Sequence, residues 1–212
     1  MASGKLIIVR HGESEYNAVG KWTGKTDVHL TAKGFHEATL MGYELKDIIL
    51  NKAYSSKQIR ALETLEAILD ASKQYEVPYE QTSAINERDY GDYTGKNKWQ
   101  VQKEVGVKEF EQIRRGWNHP VPNGETLKMV YERVVPFYKK TVLPQLLDGK
   151  NILLAASGNS IRSLVKYIES ISDENISKVE MIFGEILIYE IDENGKKLKK
   201  TVRKIDTTPP PA

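Results

Sequence analysis

Cysteine is absent from the 212-residue chain, which excludes disulfide bonds, thiolate metal ligands and a cysteine nucleophile. Neither charge is in large excess: 31 Lys and Arg residues nearly balance 29 Asp and Glu residues, so overall charge gives no reason to expect binding to nucleic acid or membranes. No apolar run approaches membrane-spanning length, and the first residues lack the apolar core of a signal peptide. We therefore expect a cytoplasmic protein that binds neither nucleic acid nor a membrane.

What is present is typical of a soluble globular enzyme or binding protein. Apolar residues make up 40% of the chain and charged residues 28%, and the length is sufficient for a sizeable core. No low-complexity linker interrupts the sequence before its end. We predict a single domain over residues 1–206, followed by a flexible proline-rich tail at 207–212.

The stretch 6–17 changes abruptly from apolar to polar. Four apolar residues at 6–9 run into Arg10, His11 and Gly12, a pattern that predicts a strand buried on both faces. In open α/β sheets ligands bind at the carboxyl ends of the strands. A cation beside an imidazole at such an end favours an anion site that contains a nucleophile or base. The alternative is a solvated Arg-His pair.

Strands alternate with helices along the chain, which predicts an α/β sheet covered on both faces. The expected fold class is a three-layer sandwich with a mostly parallel central sheet. Thr31 is expected to cap the first long helix, and Pro136 to kink a long helix that starts near residue 125. Besides the first strand, we predict strands at 53–56, 77–81, 151–156, 185–191 and 199–205, the last two joined by a hairpin at Asn194-Gly195.

Further polar groups lie near predicted strand or helix ends. Thr23-Gly24 offers a hydroxyl and an open backbone to an anion, and Arg60 opposes the dipole of the helix that it starts, so its natural partner is an anion. Arg114 and Arg115 end a short predicted helix and are suited to clamp a phosphate or carboxylate. For each of these arginines a solvated surface position is the alternative.

In their order along the chain these motifs resemble the histidine phosphatase superfamily and, more narrowly, the cofactor-dependent phosphoglycerate mutases. The resemblance spans nearly the whole length. The motifs are Leu-Ile-Ile-Val-Arg-His-Gly-Glu-Ser-Glu-Tyr-Asn at 6–17, Trp22-Thr23-Gly24, Leu-Thr-Ala-Lys-Gly at 30–34, Ser55-Ser56 with Arg60-Ala61, Asn-Glu-Arg-Asp-Tyr-Gly at 86–91, Thr-Gly-Lys-Asn-Lys at 94–98, Arg114-Arg115 and Gly158-Asn159-Ser160.

The resemblance implies interconversion of 3-phosphoglycerate and 2-phosphoglycerate in glycolysis and gluconeogenesis. It implies a phosphohistidine primed by 2,3-bisphosphoglycerate, no metal, a small anionic phosphorylated substrate, and a monomer or homo-oligomer. His11 is then the nucleophile, Arg10 and Arg60 stabilise the transferring group, and Glu87 exchanges a proton with the substrate hydroxyl. The substrate-binding residues are expected to be Arg10, Ser14, Asn17, Thr23, Gly24, Arg60, Glu87, Tyr90, Lys98, Arg114, Arg115, Gly158 and Asn159. For Glu87 the alternative is a surface carboxylate paired with Arg88.

The sequence departs from the family pattern at Ser157, where the family has a second histidine that donates to the phosphoryl oxygens. Ser157 is expected to take over this catalytic position, but serine gives no charge-assisted hydrogen bond. Removing one such donor typically costs about 10²–10³ in rate. Three explanations stay open: an engineered inactivating change, a natural low-activity or binding-only descendant, and a compensated active site.

A second departure is the short segment 116–123, which replaces a longer segment of many mutases. A shorter cover leaves a pocket wetter, and water competes for a phosphohistidine. This departure favours the first alternative function, a histidine phosphatase acting on small phosphomonoesters. The second alternative, favoured by Ser157, is a pseudoenzyme that binds bisphosphoglycerate without turnover.

Overall fold

The computed structural model describes residues 2–206, so the tail predicted at 207–212 lies outside the described residues. Its six strands form one mixed sheet in the spatial order β3-β2-β4-β1-β5-β6. The strands are β1 (Ala2–Arg10), β2 (Lys52–Ser56), β3 (Tyr79–Thr82), β4 (Ile152–Ala156), β5 (Glu185–Asp192) and β6 (Lys197–Lys204). Strands β1 to β4 are parallel, whereas β5 and β6 add an antiparallel hairpin at one side. The predicted fold class and the mostly parallel sheet are confirmed.

Strand β1 lies inside the sheet with helices on both faces. Leu6 and Ile8 pack into one apolar cluster, whereas Ile7 and Val9 pack into a second cluster on the opposite face. Successive side chains of a strand point to opposite faces, so a continuous apolar run supplies both cores. The helices are α1 (Glu15–Ala18), α2 (Ala32–Glu44), α3 (Ile59–Ala71), α4 (Lys98–Val105), α5 (Val107–Arg115), α6 (Leu127–Phe137), α7 (Leu143–Leu147) and α8 (Gly158–Ile168). Helices α6 and α8 cover the first face, and α2 and α3 the second.

Local signals in the sequence set several helix ends. The Thr31 side chain accepts a hydrogen bond from the Gly34 N–H, as predicted for the cap of α2. The long helix predicted around Pro136 is three pieces: α6 ends at Phe137, a π-helical turn covers Tyr138–Val142, and α7 follows. Proline removes one backbone donor from a helix, and the chain changes its hydrogen-bond spacing directly afterwards.

The carboxyl ends of β1, β2 and β4 meet at one edge of the sheet. Arg10 pairs with Ala156 and Ser55 with Ala155, and the His11 N–H donates to the Ala156 carbonyl at 3.0 Å. The residues that follow these three strands are therefore neighbours, although they are far apart in the sequence. A third apolar cluster, built on Trp22, Tyr90, Val101, Phe110 and Ile113, joins the loop after β1 to α4 and α5. Within residues 2–206 no helix is long and apolar enough to span a membrane.

Candidate active site

A cavity of about 360 Å³ opens at the carboxyl edge of the sheet. This volume falls in the range of small-molecule sites. Of the predicted site residues, thirteen line it: Arg10, His11, Asn17, Thr23, Gly24, Arg60, Glu87, Tyr90, Lys98, Arg114, Arg115, Gly158 and Asn159. Residues from six separate stretches of the sequence therefore share one cavity.

Two predicted site residues, Ser14 and Ser157, do not reach the cavity wall. Ser14 is fully buried and caps helix α1, where its hydroxyl pairs with the Asn17 side chain. Ser157 is fully buried too, and its hydroxyl lies 3.5 Å from Oε1 of Gln58. Neither residue is among those that line the cavity, and the ligand contacts expected of both stay predictions. Ser157 directly precedes Gly158, which does line the cavity.

His11 presents one ring nitrogen for chemistry and fixes the other. Its Nδ1 lies 2.8 Å from the Gly12 carbonyl, and a carbonyl only accepts, so we assign the proton to Nδ1. The unprotonated Nε2 accepts a hydrogen bond from Nε of Arg60 at 3.2 Å. Burial, with the positive charges of Arg60 and Arg10 adding to it, holds the pKa of His11 well below its usual value. The imidazole is therefore neutral at physiological pH, and its Nε2 lone pair, which accepts from Arg60, can attack an electrophile once the Arg60 N–H turns to that electrophile's oxygen atoms.

Arg60 is a buried cation and not the solvated side chain that the sequence left as an alternative. It has no exposed surface, and it donates to the Thr26 carbonyl at 3.0 Å and the Gly24 carbonyl at 3.2 Å. The Gly24 turn has φ +52, and a Cβ there would lie 2.7 Å from Thr94 Oγ1. Glycine is therefore required at a turn whose carbonyl orients the arginine.

Arg10 supplies the second cation beside His11. It donates to the Met181 carbonyl at 2.7 Å, and its guanidinium lies 3.7 Å from the centre of the Phe183 ring. Burial lowers its pKa, but an arginine stays protonated in proteins. Arg10 and Arg60 thus hold fixed positive charge where a phosphoryl group at Nε2 would lie.

Glu87 belongs to a network of buried polar groups. Its Oε1 accepts from the Arg88 backbone N–H at 2.7 Å and from Nδ2 of Asn159 at 3.0 Å. The same Asn159 amide donates to the Tyr90 hydroxyl at 2.8 Å, and its Oδ1 accepts from Arg162 at 2.8 Å. This pattern fixes the amide orientation and leaves the Tyr90 O–H proton for a ligand in the cavity.

Arg88 does not form the ion pair with Glu87 that was the alternative for that carboxylate. Its guanidinium is fully buried and donates to the carbonyls of Ile113 at 2.5 Å and Arg114 at 3.3 Å. These carbonyls lie at the end of α5, where helix carbonyls lack intrahelical partners. Arg88 therefore holds the helix end that carries Arg114 and Arg115.

Arg114 and Arg115 both face the cavity because α5 ends there, with Gly116 as its C-cap. Arg115 is paired with Glu180 at 2.8 Å, whereas the nearest carboxylate oxygen to Arg114, on Glu111, lies 3.9 Å away. The Arg115 hydrogen bond lowers the pKa of Glu180. Arg114 is the more available of the two cations, because the carboxylate of Glu180 partly neutralises the charge of Arg115.

Lys98 starts helix α4 and points its ammonium into the same cavity. Burial, aided by the nearby charges of Arg10 and Arg114, lowers the pKa of Lys98 to about 8. Among the cations that line the cavity, Lys98 is therefore the first to lose its charge as pH rises, since the others belong to arginines.

Substrate binding should weaken as pH rises through about 8, because Lys98 then loses its proton and its attraction for an anion. We expect KM for a small phosphorylated substrate to rise on the alkaline side while kcat changes little. In Lys98→Arg the positive charge persists, so the alkaline rise in KM should disappear. Steady-state kinetics of both proteins between pH 7 and about pH 9.5 measure this difference. An alkaline rise of the same size in Lys98→Arg would assign it to another group.

The cavity also contains residues that sequence reasoning missed: Trp22, Arg162, Glu180, Met181, Ile182 and Phe183. Arg162 follows Asn159 by three residues on α8, so the helical period alone places the two side chains together. Burial lowers the pKa of Arg162 to about 10. The segment 180–183 carries no comparable sequence signal, since it reaches the cavity only through the fold. In the described part of the chain, His, Asp and Glu side chains form no group suited to hold a metal ion.

The chain is similar in sequence to known proteins along most of its length. The sequence pattern that defines the histidine phosphatase superfamily (branch 1) matches residues 6–204. The 2,3-bisphosphoglycerate-dependent phosphoglycerate mutase 2 of Latilactobacillus sakei is 38% identical over 223 aligned positions, which cover 92% of this chain and 97% of that protein.

Solved structures share the fold at lower identity. Bacillus stearothermophilus YhfR superposes with a TM-score of 0.81 at 23% identity, covering 92% of this chain and 94% of that one. The alpha-ribazole phosphatase from Shigella flexneri gives 0.77 at 22% identity and covers 96% of each chain. Since the superfamily pattern spans nearly the whole described chain and the relatives align along most of their length, the chain belongs to the histidine phosphatase superfamily.

Proposed function

We propose that this enzyme is a 2,3-bisphosphoglycerate-dependent phosphoglycerate mutase of glycolysis and gluconeogenesis. The observation that carries the proposal is the presence of two sets of cations in one cavity. Arg10 and Arg60 flank His11, and Lys98, Arg114 and Arg115 are contributed by α4 and α5. A phosphatase for simple monoesters needs only the first set, whereas a phosphoglycerate has a carboxylate that also requires a partner. We further propose a cytoplasmic enzyme with one catalytic domain over residues 1–206, active as a monomer or homo-oligomer without a metal.

The charge of the cavity suits a ligand with several anionic groups. Six cations line it, Arg10, Arg60, Lys98, Arg114, Arg115 and Arg162, against the carboxylates of Glu87 and Glu180. When bound, 2,3-bisphosphoglycerate supplies the phosphoryl group that charges the histidine. The two sets of cations suit its two phosphates, and the Tyr90 hydroxyl, Asn17 and Thr23 are polar groups available to the rest of the molecule.

In the proposed reaction, Nε2 of His11 attacks phosphorus while the bond from phosphorus to the ester oxygen breaks. Glu87 in its protonated form gives its proton to the leaving oxygen, and the resulting carboxylate takes a proton back from the hydroxyl that accepts the phosphoryl group. Arg10 and Arg60 stabilise the negative charge on the transferring oxygens. The Nδ1–H bond to the Gly12 carbonyl keeps the ring oriented during both transfers.

The double variant Arg114→Ala/Arg115→Ala should raise KM for 3-phosphoglycerate about 10- to 100-fold, because charge-assisted hydrogen bonds to the second anionic group are lost. Hydrolysis of p-nitrophenyl phosphate, which has no second anionic group, should change less than about threefold. Lys103→Ala/Lys108→Ala removes the same charge from exposed positions of α4 and α5 and serves as the control. An equal loss of activity with both substrates, or a large fall in melting temperature, would indicate that the two arginines have a structural role.

The proposed activity is tested by a coupled mutase assay with and without 2,3-bisphosphoglycerate, run beside a phosphate-release assay. We expect formation of 2-phosphoglycerate that depends on the primer and exceeds phosphate release. Phosphate release without 2-phosphoglycerate would support the second candidate, a histidine phosphatase for small phosphomonoesters. The pairing of Arg115 with Glu180 favours that candidate, since the carboxylate partly neutralises a cation that a second anionic group needs. Ligand binding without turnover would support a binding-only protein, the function that Ser157 favours.

A further inference from the structure

We propose that Gln58 is a positioning residue that fixes Glu87 relative to the nucleophile. The proposal rests on the proposed function, because it assigns a consequence to the proton transfer by Glu87. Gln58 precedes α3 directly and lies two residues before Arg60, which contacts His11. It is not among the residues that line the cavity.

The first indication is that Gln58 occupies a helix-capping position without capping the helix. Ser, Thr, Asp and Asn are preferred there because their short side chains bond the first free N–H groups. The Gln58 side chain makes no such bond. Asp27 does so from another loop, with its Oδ1 accepting from the Ile59 N–H at 2.7 Å. A residue type that does not suit its local position, here a glutamine at a helix N-cap, often serves a functional site instead.

The second indication is where the Gln58 amide is used. The side chain is buried, its Nε2 donates to the Gly24 carbonyl at 2.9 Å, and its Oε1 accepts from the Glu87 backbone N–H at 2.8 Å. The Ser157 hydroxyl lies 3.5 Å from the same oxygen. The Gln58 side chain thus connects three segments of the site. These are the turn at Gly24 that orients Arg60, the residue Ser157 that follows β4, and the backbone of the proton donor Glu87.

Removal of the Gln58 amide is expected to disturb mainly the position of Glu87. The Gly24 carbonyl keeps its hydrogen bond from Arg60, whereas the buried Glu87 N–H has no other acceptor among the described contacts. Leaving a buried donor unpaired is costly, so the backbone shifts to relieve it. A shift of about 1 Å at a reacting group costs up to about 10² in rate. The position of Glu87 relative to the ester oxygen would therefore change, while His11 and Arg60 keep their own contacts.

This reasoning predicts a selective defect that depends on the leaving group. An alkoxide leaves only when it receives a proton, so its departure requires Glu87 in place. The p-nitrophenolate ion leaves readily without a proton. The rate of His11 phosphorylation should therefore fall with an alkyl phosphate donor and change little with an aryl phosphate donor.

The test measures single-turnover phosphorylation of His11 by 2,3-bisphosphoglycerate and by p-nitrophenyl phosphate, for the full chain and for Gln58→Met. Methionine keeps the length of glutamine but neither donates nor accepts a comparable hydrogen bond. The control is Gln74→Met: Gln74 accepts from the Leu50 N–H at 2.8 Å and donates to the Ile48 carbonyl at 3.2 Å, the same bonding pattern away from the cavity.

We expect the ratio of the two rates, alkyl over aryl, to fall about tenfold or more in Gln58→Met and to stay unchanged in Gln74→Met. Partial unfolding of a variant scales both rates alike, so the ratio tests the proposal even in a destabilised protein. An unchanged ratio in Gln58→Met, whether both rates persist or fall together, would overturn the role of Gln58. Failure of the unmodified chain to form a phosphohistidine with either donor would instead overturn the proposed function.

Discussion

Replacing His11 by asparagine is expected to abolish the phosphoenzyme and to lower turnover by about 10⁴-fold or more, the scale of losing a nucleophile. The asparagine amide can keep a donor near the Gly12 carbonyl that Nδ1 now contacts at 2.8 Å, so the fold should persist. It offers no nucleophilic nitrogen in place of Nε2. Incubation with 2,3-bisphosphoglycerate followed by mass spectrometry under alkaline conditions measures the adduct directly.

The matched control is His36→Asn, at an exposed position of α2 outside the cavity. This variant should form the adduct at the rate of the unmodified chain and keep its turnover. An adduct that survives in His11→Asn would show that another residue carries the phosphoryl group.

Replacing Glu87 by glutamine should lower the rate of His11 phosphorylation by 2,3-bisphosphoglycerate about 10²- to 10⁴-fold, the usual contribution of a positioned acid or base. Glutamine is nearly isosteric, and its oxygen can still accept from the Arg88 N–H and the Asn159 amide, which now lie 2.7 and 3.0 Å from Oε1. Only the transferable proton is lost. With p-nitrophenyl phosphate as donor the rate should therefore fall less than about tenfold.

Glu104→Gln removes one carboxylate from an exposed position of α4 and controls for the change in charge. It should leave both phosphorylation rates unaltered. Equal losses with the two donors in Glu87→Gln would assign Glu87 a role in binding or folding instead of proton transfer. The defect of Gln58→Met should have the same direction as that of Glu87→Gln and a smaller size.

The features that sequence reasoning anticipated are those with a local cause. An apolar run at 6–9 can be buried on both faces only inside a sheet, and the polar residues after it must then lie at the sheet edge. Thr31 bonds a backbone N–H three residues away, so its capping role requires no tertiary information. Thirteen of the residues that line the cavity were predicted, most of them from the resemblance, and the register of β1 with β4 accounts for Arg10 and His11 lying near Gly158 and Asn159.

What could not be anticipated depends on partners distant in the sequence. Arg60 is buried because the turn at Gly24, 36 residues away, folds back over it, and no local pattern separates that outcome from a solvated arginine. The partner of the buried Ser157 hydroxyl is Gln58, 99 residues away. Helical periodicity marks Arg162 as a neighbour of Asn159 but does not say that this face of α8 opens into a cavity.

Phosphorus NMR of the protein after incubation with 2,3-bisphosphoglycerate shows whether phosphoryl transfer passes through Nε2 of His11. The two ring positions of a phosphohistidine give distinct resonances, and an alkaline denaturing buffer preserves them. Because Nδ1 donates to the Gly12 carbonyl and Nε2 faces Arg60, we predict a single resonance from Nε2-phosphohistidine that is lost in His11→Asn. A resonance from Nδ1-phosphohistidine, or phosphorus on any other residue, would contradict the account.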